Sequence, residues 1–462
     1  MLTVGIIIIL IVGFLVLNLI LPNSPWQVRL GLSFPVGMGL QTILMLLINM
    51  LGLRFTLGNT LAIGLLMLLI LLFPLYRRRQ EFVLRLRKAA SQRIDFTGFN
   101  MVWLLFVILL VLFEGANLCK CMYFPTSDRD SLAGFETIGY IMAQEHTVRD
   151  LSIFRSDYMP EIHNAGSYIV YAPMVQLSYA FVYILGAETS KIVPGLMYLS
   201  FVLAFYGILK RTVGMTGAAI GTFFMMMTPE MIGFSSLSIT NVIHAVSASM
   251  GIIHVAMWLR DRKQGDLLLA TLLLGLNVWT RTDGVVFILA ALTVVFADAL
   301  RRRTAEAWKS LAVLTCSFLP ALLWMAFSGL NNIYAENIII DHPYWDGEKA
   351  MIIWDYMKLH LTNTTFYGWT FAFFLLSMLI NGRNLLKHSD NLPLLTMFLV
   401  ALALYMAVLY QIDYKWDSIQ NVLAYSAKRF LFCFVPIAWF YGMTNQWVRT
   451  LLGRLETFLS GN

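Results

Sequence analysis

Charged residues are scarce in this sequence, and their scarcity excludes an ordinary water-soluble protein. Aspartate, glutamate, lysine and arginine make up 13% of the 462 residues, against roughly 25% in a soluble domain. So few charges cannot cover the surface of a soluble protein of this length. Hydrophobic residues make up 59% of the chain. Both figures indicate a protein whose outer surface faces lipid.

Cysteine is also rare, and its placement excludes a disulfide framework. Cys119 and Cys121 are too close in sequence for an easy disulfide. Cys316 and Cys433 lie within apolar runs, where we expect them to act as packing residues. The sequence has neither a paired CxxC zinc pattern nor a glycine-rich nucleotide-binding loop. It therefore predicts no structural metal and no bound nucleotide.

The sequence instead contains a succession of apolar runs that are long enough to cross a membrane. A spanning helix needs about 20 predominantly apolar residues, and the runs 1–21, 99–118, 285–300 and 392–410 approach or meet that length. The first run lacks the basic start and the cleavage site of a signal peptide, so we interpret it as a retained helix. The predicted fold class is all-α, a polytopic bundle of about 12 to 13 transmembrane helices with outward-facing loops and short surface helices.

The positive charges lie in short clusters between the apolar runs, where the positive-inside rule expects cytoplasmic loops. The strongest cluster occupies 77–93, and further clusters lie at 260–263 and 301–303. The net charge of +7 therefore indicates membrane anchoring and no nucleic-acid partner. The compact loops and the lack of organelle-type signals favour a bacterial inner membrane, with the functional face toward the periplasm or exterior.

Five predicted crossings lie between the basic clusters at 77–93 and 260–263: 99–118, 165–185, 192–209, 214–228 and 240–259. Both clusters belong in the cytoplasm, and two segments on the same side of a membrane need an even number of crossings between them. Either one of the last four segments is not a full span, with 165–185 or 214–228 favoured, or Lys210-Arg211 faces outward.

The predicted domain organisation has three parts. Accessory transmembrane helices and a cytoplasmic basic loop occupy 1–98, the main transmembrane domain occupies 99–446, and a cytoplasmic tail occupies 447–462. The charge rule places the three long polar loops of the main domain on the outer face: 119–163, 329–365 and 412–427. Loops of this length are usually functional, so we expect the chemistry there.

Two aspartates, Asp128 and Asp130, flank Arg129 about ten residues beyond the end of a predicted helix. Two carboxylates at this spacing near a membrane surface can act as a general base or as cation ligands. They permit a divalent cation such as Mg²⁺ or Mn²⁺ without requiring one. The alternative is a solvated loop in which Arg129 pairs with its neighbours.

Arg281 lies between two apolar helices with almost no loop. An arginine at the membrane edge is costly unless it reaches the interface or holds an anion. Its guanidinium suits phosphate because the donors fork onto two oxygens. Interfacial anchoring is the alternative.

Asn241, His244 and Ser247 form a polar stripe at helical spacing, and such a stripe usually faces the interior of a bundle. It indicates either hydrogen bonding between helices or part of a site, and Thr240 or Asn241 could simply cap the helix. Lys428-Arg429 places two cations at the outer start of the last helix, against the usual charge bias, where they could bind a lipid phosphate.

The order of these motifs resembles the C superfamily of glycosyltransferases over about 99–445. An aspartate follows a spanning helix, then come a Tyr/Pro-rich stretch, a polar helix start after a proline, a Thr-Arg-x-acid-Gly turn and a late arginine before a proline. The residues that carry these features are Asp128 and Asp130; Tyr158, Pro160 and 168–173; Pro229, Thr240 and Asn241; 280–284; and Arg429 with Pro436.

The resemblance implies a polytopic enzyme, similar to protein mannosyltransferases and the aminoarabinose transferase of lipid A. Asp130 or Asp128 would be the catalytic base, and the donor phosphate would contact Arg281, Arg429 and Lys428. Possible substrate-binding residues are Asp283, Asn241, His244, His163, Tyr158, Tyr344 and Trp345, although aromatics at this depth also form the ordinary interfacial belt. The sequence departs from the family pattern at Asn241, where many relatives have Asp, and at Asp283, where Glu is usual.

The implied reaction is an inverting displacement at the anomeric carbon. The implied partners are a polyprenyl-phosphate-linked sugar donor, a glycan, lipid or protein acceptor of the envelope, and membrane lipids. The main alternative is a transporter or flippase of lipid-linked saccharides, and a third is a non-catalytic assembly protein of polysaccharide export. Transporters often contain internal repeats, and none is apparent here, while the ionisable residues cluster at the outer edge. Both features favour an enzyme at the interface.

Overall fold

A computed structural model describes residues 1–77, 80, 100–154, 166–333, 338–340, 345–387, 391–414 and 418–459. These residues form helices almost throughout, and the predicted all-α membrane class is confirmed. The only strands within these ranges are two segments of three residues, β1 (Ile338–Ile340) and β2 (Ile412–Tyr414). They pair antiparallel and join the second polar loop to the third.

The α-helices, in chain order, are α1 (Leu2–Ile20), α2 (Trp26–Gly31), α3 (Ser33–Met50), α4 (Leu57–Arg77), α5 (Met101–Tyr123), α6 (Glu136–Glu145), α7 (Gly166–Ile169), α8 (Met174–Ile184), α9 (Ile192–Met226), α10 (Pro229–Phe234), α11 (Asn241–Asp261), α12 (Gln264–Thr280), α13 (Val285–Arg302), α14 (Ala305–Thr315), α15 (Leu319–Leu330), α16 (Gly347–Thr362), α17 (Thr364–Tyr367), α18 (Thr370–Lys387), α19 (Leu392–Gln411), α20 (Ile419–Leu431), α21 (Phe434–Thr444) and α22 (Gln446–Leu459). A π-helical turn, Ser131–Phe135, precedes α6, and 3₁₀ turns lie at Ser152–Phe154, Thr282–Gly284 and Cys316–Phe318.

Nine helical stretches of the described residues are long and apolar enough to cross a membrane, and the bent pair α20–α21 makes a tenth if it acts as one span. Helix α8 has 11 residues and extends about 16 Å, about half the thickness of the hydrocarbon core. Lys191, which follows α8, donates to the Phe124 carbonyl at the end of α5. The chain therefore enters and leaves α8 at the same end of the bundle, and the predicted segment 165–185 is not a full span. These ten stretches are two to three fewer than the predicted 12 to 13 transmembrane helices.

Helix α9 is a hairpin and not a straight rod. Its 35 residues would extend about 52 Å if straight, yet the Tyr198 hydroxyl donates to the Met226 carbonyl at 3.3 Å. The reversal lies at Gly214, whose φ of 77° is a conformation that favours glycine. The arms 192–213 and 215–226 therefore run antiparallel.

The same reversal resolves the odd number of crossings. Arg211, near the end of the first arm, lies 3.4 Å from Asp261 and 3.2 Å from Asp266. Lys210-Arg211 is therefore at the same end of the bundle as the cluster at 260–263. Without α8, the crossings that lead to this cluster from the N-terminal helices are α5, the two arms of α9, and α11, which is an even number.

The polar residues of the bundle lie mainly at its two ends. Helix α11 runs from Asn241 to Asp261, and α12 returns from Gln264 to Thr280. We name the end that holds Asp130, Thr240 and Arg281 the Asp130 end, and the end that holds Asp261 and Asp266 the Asp261 end. At the latter, buried His254 hydrogen-bonds through Nδ1 to Asp266 Oδ1 at 2.8 Å, which fixes α11 to α12.

The described parts of the three polar loops meet at the Asp130 end. Asp130 of the first loop pairs with Arg429 of α20. Lys349, which follows the second loop's strand, lies 2.7 Å from Asp413 of the third loop. Side chains far apart in sequence are thereby held close enough to form one site.

Helices α1 and α3 cross so closely that glycine is required at the contact. A Cβ at Gly13 would lie 1.8 Å from the Ser33 carbonyl oxygen, and one at Gly37 would lie 2.1 Å from the Ile9 carbonyl oxygen. Close approach through small residues is a common way for membrane helices to pack. Since both obstacles are backbone atoms, the helices must separate to admit even a methyl group.

We expect Gly13→Ala to destabilise the protein by about 2 kcal/mol or more through this overpacking. Gly115→Ala is the matched control, because a Cβ at this helical position meets no atom within 4 Å. It should be neutral or slightly stabilising, since alanine is the better helix former. Thermal unfolding of the two purified variants in the same detergent measures the difference, and equal midpoints would contradict the close packing.

Candidate active site

Asp128 and Asp130, equivalent candidates in the sequence, have different surroundings in the structure. Asp128 Oδ2 accepts hydrogen bonds from the Ser131 backbone N–H at 3.1 Å and from the Ser131 hydroxyl at 3.3 Å. This is the geometry of a helix N-cap, in which a side-chain oxygen satisfies a free N–H of the first turn. The chain then passes through the π-helical turn into α6. Capping is a sufficient structural role for Asp128.

Asp130 lies among groups suited to chemistry. Its Oδ1 accepts a hydrogen bond from the Tyr168 hydroxyl at 2.9 Å, and its Oδ2 accepts one from Arg429 Nη1. The side chains of Asp130 and Arg429 are 18% and 26% exposed, so the pair is reachable from outside but largely shielded. The structure thus joins two predicted site residues that are 299 positions apart.

Tyr168 is a site residue that the sequence reasoning did not single out, although it begins the stretch 168–173. Burial, and then the neighbouring Asp130 carboxylate, raise the pKa of Tyr168 above its usual value. The phenol therefore stays protonated and keeps donating to Asp130. Its place in a Tyr/Pro-rich segment was the only available signal.

Arg281 and Asp283 form a second acid–arginine pair. Arg281 donates from Nε to Asp283 Oδ1 at 3.0 Å and from Nη2 to Oδ2 at 2.6 Å, and Nη1 reaches Thr240 Oγ1 at 3.4 Å. The two side chains are only 14% and 19% exposed. Burial opposes the charge on the guanidinium, but Asp283 more than offsets it and raises the pKa of Arg281. Nη1, with its long contact to Thr240, is the part of the guanidinium best placed to take a further acceptor.

An aromatic cluster connects the two pairs. The Phe135 ring lies 5.4 Å from Tyr168 and 5.2 Å from Tyr171, both edge-on. The Arg281 guanidinium lies 5.8 Å from the centre of the Tyr171 ring. The contacts of these rings therefore form a continuous path from the Asp130–Arg429 pair to Arg281.

The polar stripe on α11 is buried and lacks partners. Asn241, His244 and Ser247 are 2%, 1% and 0% exposed. Among the described residues, Asn241 Nδ2, both ring nitrogens of His244 and Ser247 Oγ have no hydrogen-bond partner. Each unpaired buried group costs about 1–3 kcal/mol, so water or a bound polar molecule is expected to satisfy these atoms. Both interpretations of the stripe, as a contact between helices and as part of a site, remain predictions.

Lys428 lies beside the Asp130–Arg429 pair. Its Nζ is 4.0 Å from Glu230 Oε1 and 5.2 Å from the centre of the Phe366 ring. Burial raises the pKa of Glu230 above its usual value, against the opposing effects of Lys428 and Arg429. The Glu230 carboxyl therefore takes up a proton at a higher pH than a free glutamate does.

Four predicted substrate-binding residues are aromatic or histidine side chains of the polar loops. Trp345 is 78% exposed and stacks on Tyr410 at a centroid distance of 5.5 Å. Its position on the surface gives it no contact with either acid–arginine pair. The predicted residues Tyr158, His163 and Tyr344 lie outside the described residues.

The two first-loop carboxylates are not arranged as a metal site. Asp128 accepts hydrogen bonds from Ser131, while Asp130 accepts them from Tyr168 and Arg429. Within the described ranges, no three or more His, Cys, Asp or Glu side chains are grouped to hold a metal ion. A divalent cation would have to displace Arg429 from Asp130, so we derive no step through one.

A protein-family model matches part of the chain. Residues 172–324 match the family model described as dolichyl-phosphate-mannose-protein mannosyltransferase. No curated protein and no solved structure matches the chain. Arg281 and Asp283 lie inside the matched segment, whereas Asp130 and Arg429 lie outside it.

This match bears on both fold and activity. The matched family belongs to the C superfamily of glycosyltransferases, and the helical bundle provides the membrane-spanning segments that such an enzyme needs. Together they support a membrane glycosyltransferase of this type. The predicted resemblance is therefore confirmed at residues 172–324, which match the model of a family that belongs to the C superfamily of glycosyltransferases.

Proposed function

We propose that this protein transfers a sugar, with inversion, from a polyprenyl-phosphate carrier to an acceptor hydroxyl on the outer face of a bacterial inner membrane. The observation that carries the proposal is the contact of Asp130 with Arg429 and Tyr168. This contact supports the proposal because a carboxylate that could act as the base lies beside an arginine that could bind phosphate, at the end of the bundle that also holds Arg281. The acceptor is a glycan, lipid or protein of the envelope.

The reaction that fits this geometry is a single displacement. The acceptor oxygen attacks the anomeric carbon while the bond from that carbon to the phosphate oxygen breaks, and the phosphate leaves with the electron pair. Asp130 takes the proton of the acceptor hydroxyl. Arg281, Arg429 and Lys428 stabilise the negative charge that grows on the departing phosphate. Attack from the face opposite the phosphate inverts the anomeric centre.

The ion pair also suggests an order of binding. Arg429 and Tyr168 donate to the two carboxylate oxygens of Asp130, so neither oxygen is free to contact an acceptor hydroxyl in this arrangement. A phosphate offers Arg429 two oxygens in a forked geometry that a single carboxylate oxygen does not. When the donor takes Arg429, Asp130 Oδ2 becomes free for the acceptor. The donor therefore binds before the acceptor.

The three unpaired groups on α11 are proposed to hold the polar part of the donor. Asn241 and His244 lie in the first turn of the helix, next to Thr240, which contacts Arg281. His244 is close enough to Arg281 and Asp283 for their charges to act on it. Sugar hydroxyls both donate and accept, so they can pair with an amide, an imidazole and a hydroxyl together.

The test is turnover of a labelled polyprenyl-phosphate sugar by the purified protein in detergent. We expect label in the acceptor and release of polyprenyl phosphate without a sealed membrane, because an enzyme needs no second compartment. The anomeric configuration of the product, read by NMR, should be opposite to that of the donor. Movement of the intact donor across the membrane of liposomes, with no cleavage of the donor in detergent, would favour the interpretation as a flippase. A product with retained configuration would contradict the single displacement.

A further inference from the structure

A second polar cavity lies at the Asp261 end, far from the acid–arginine pairs. Its volume is about 580 Å³, within the range of sites that bind small molecules. The walls come from the turn at Gly214, the end of α11, helix α18 and the start of α22. Nothing in the proposed sugar transfer uses this space.

Two buried atoms at the wall lack partners. Asn381, which is 5% exposed, has no hydrogen-bond partner for Oδ1 among the described residues, and the same holds for Thr212 Oγ1. Both residues line the cavity. Buried polar atoms are nearly always satisfied by protein, water or ligand, so these walls are built for polar contents.

The charges that line the cavity favour an anion. Arg260 is paired with Asp261 at 2.7 Å, and Glu456 accepts a hydrogen bond from the Thr216 backbone N–H at 3.1 Å. Arg449 lines the same space, and within the part of the chain that the structure describes it has no ion-pair partner. Arg260 and Arg449 outnumber Glu456 among the charged residues that line the cavity, so the described walls carry a net positive charge. A guanidinium is also the group that best recognises phosphate.

Helix α22 sets the depth of the cavity in the membrane. Its outward face exposes Trp447, Leu451 and Phe458 at 50%, 54% and 82%, while Arg449 and Gly453 line the cavity. A helix with an exposed apolar stripe and basic residues lies in the plane of the membrane interface. The mouth of the cavity is then at the level of the lipid headgroups.

We propose that this cavity binds the phosphate headgroup of an anionic phospholipid and so fixes α22 to the turn at Gly214. The predicted tail at 447–462 is accordingly a lipid-dependent element of the fold. Arg449 holds the phosphate, and Asn381 and Thr212 hydrogen-bond the hydroxyls of a glycerol headgroup. The acyl chains leave through the mouth into the surrounding bilayer.

Native mass spectrometry of the full-length protein, with phosphatidylglycerol and phosphatidylcholine in equal amounts, tests the proposal. We expect one phosphatidylglycerol to be retained in preference, and Arg449→Ala to reduce its retention about fivefold. Gly453→Leu should reduce it at least as much by filling the cavity, since a Cβ at Gly453 meets open space and leucine is the better helix former. Arg454→Ala, on the same helix but outside the lining, is the matched control and should leave retention unchanged.

Other results would overturn the proposal. Equal retention of phosphatidylglycerol and phosphatidylcholine would show that the lipids bind only through the apolar surface of the protein. An equal loss in Arg449→Ala and Arg454→Ala would assign it to diffuse positive charge. Displacement of the lipid by soluble glycerol 3-phosphate at the same concentration would show that the site takes a free phosphate ester. Normal retention in a folded Gly453→Leu variant would exclude the cavity.

Discussion

Asp130→Asn lowers the rate of sugar transfer by at least about a hundredfold, the usual range for loss of a general base, while Asp128→Asn leaves it within about twofold. Asparagine matches the shape of aspartate but cannot take the acceptor proton. At position 128 asparagine caps a helix as well as aspartate does, so the bonds to Ser131 survive. The measurement is single-turnover transfer of a labelled donor.

Comparing Asp130→Asn with Asp128→Asn distinguishes a loss of catalysis from a loss of folding. Arg429 is 26% exposed and can remain solvated beside the neutral side chain, so Asp130→Asn should stay monodisperse with a nearly unchanged melting temperature. The double variant Asp128→Asn/Asp130→Asn should match Asp130→Asn and not fall further. A slow Asp128→Asn enzyme with an active Asp130→Asn enzyme would reverse the assignment of the base. Full activity in the double variant would remove the first-loop acids from the mechanism.

The fold class could be predicted from composition because lipid imposes a simple rule. With 13% charged residues the chain must place most of its surface in the membrane, and helices satisfy the backbone there. A break near Gly214 was also predicted, because Lys210-Arg211 separate the segment 214–228 from the apolar run before it. The φ of 77° at Gly214 identifies the residue at which the chain turns back.

The candidate site was only partly predictable from the sequence. The resemblance proposed Asp128, Asp130 and Arg429 separately, but no local pattern links residues 299 positions apart. Spacing alone left Asp128 and Asp130 equivalent. They differ because of where the helix begins. Asp128, three positions before Ser131, caps the helix, whereas Asp130, directly before Ser131, contacts Tyr168.

Arg281→Gln should impair both stability and transfer, and a second substitution can separate the two effects. The Arg281–Asp283 pair is mostly buried, so loss of the guanidinium leaves a carboxylate without a counter-charge and destabilises the protein by about 3 kcal/mol. The double variant Arg281→Gln/Asp283→Asn has no unpaired Asp283 carboxylate, so we expect it to regain most of the lost stability. Thermal unfolding of Arg281→Gln, Asp283→Asn and the double variant completes this double-mutant cycle.

Transfer should not return with stability. If Arg281 Nη1 contacts the donor phosphate, the neutral double variant still lacks that contact and remains slower by at least about a hundredfold, as when one stabilising donor is removed from an active site. If Arg281 only anchors the turn against Asp283, the double variant recovers transfer together with its melting temperature. The second result would leave Arg429 and Lys428 as the phosphate ligands and would make the Arg281–Asp283 pair a structural element beneath the site.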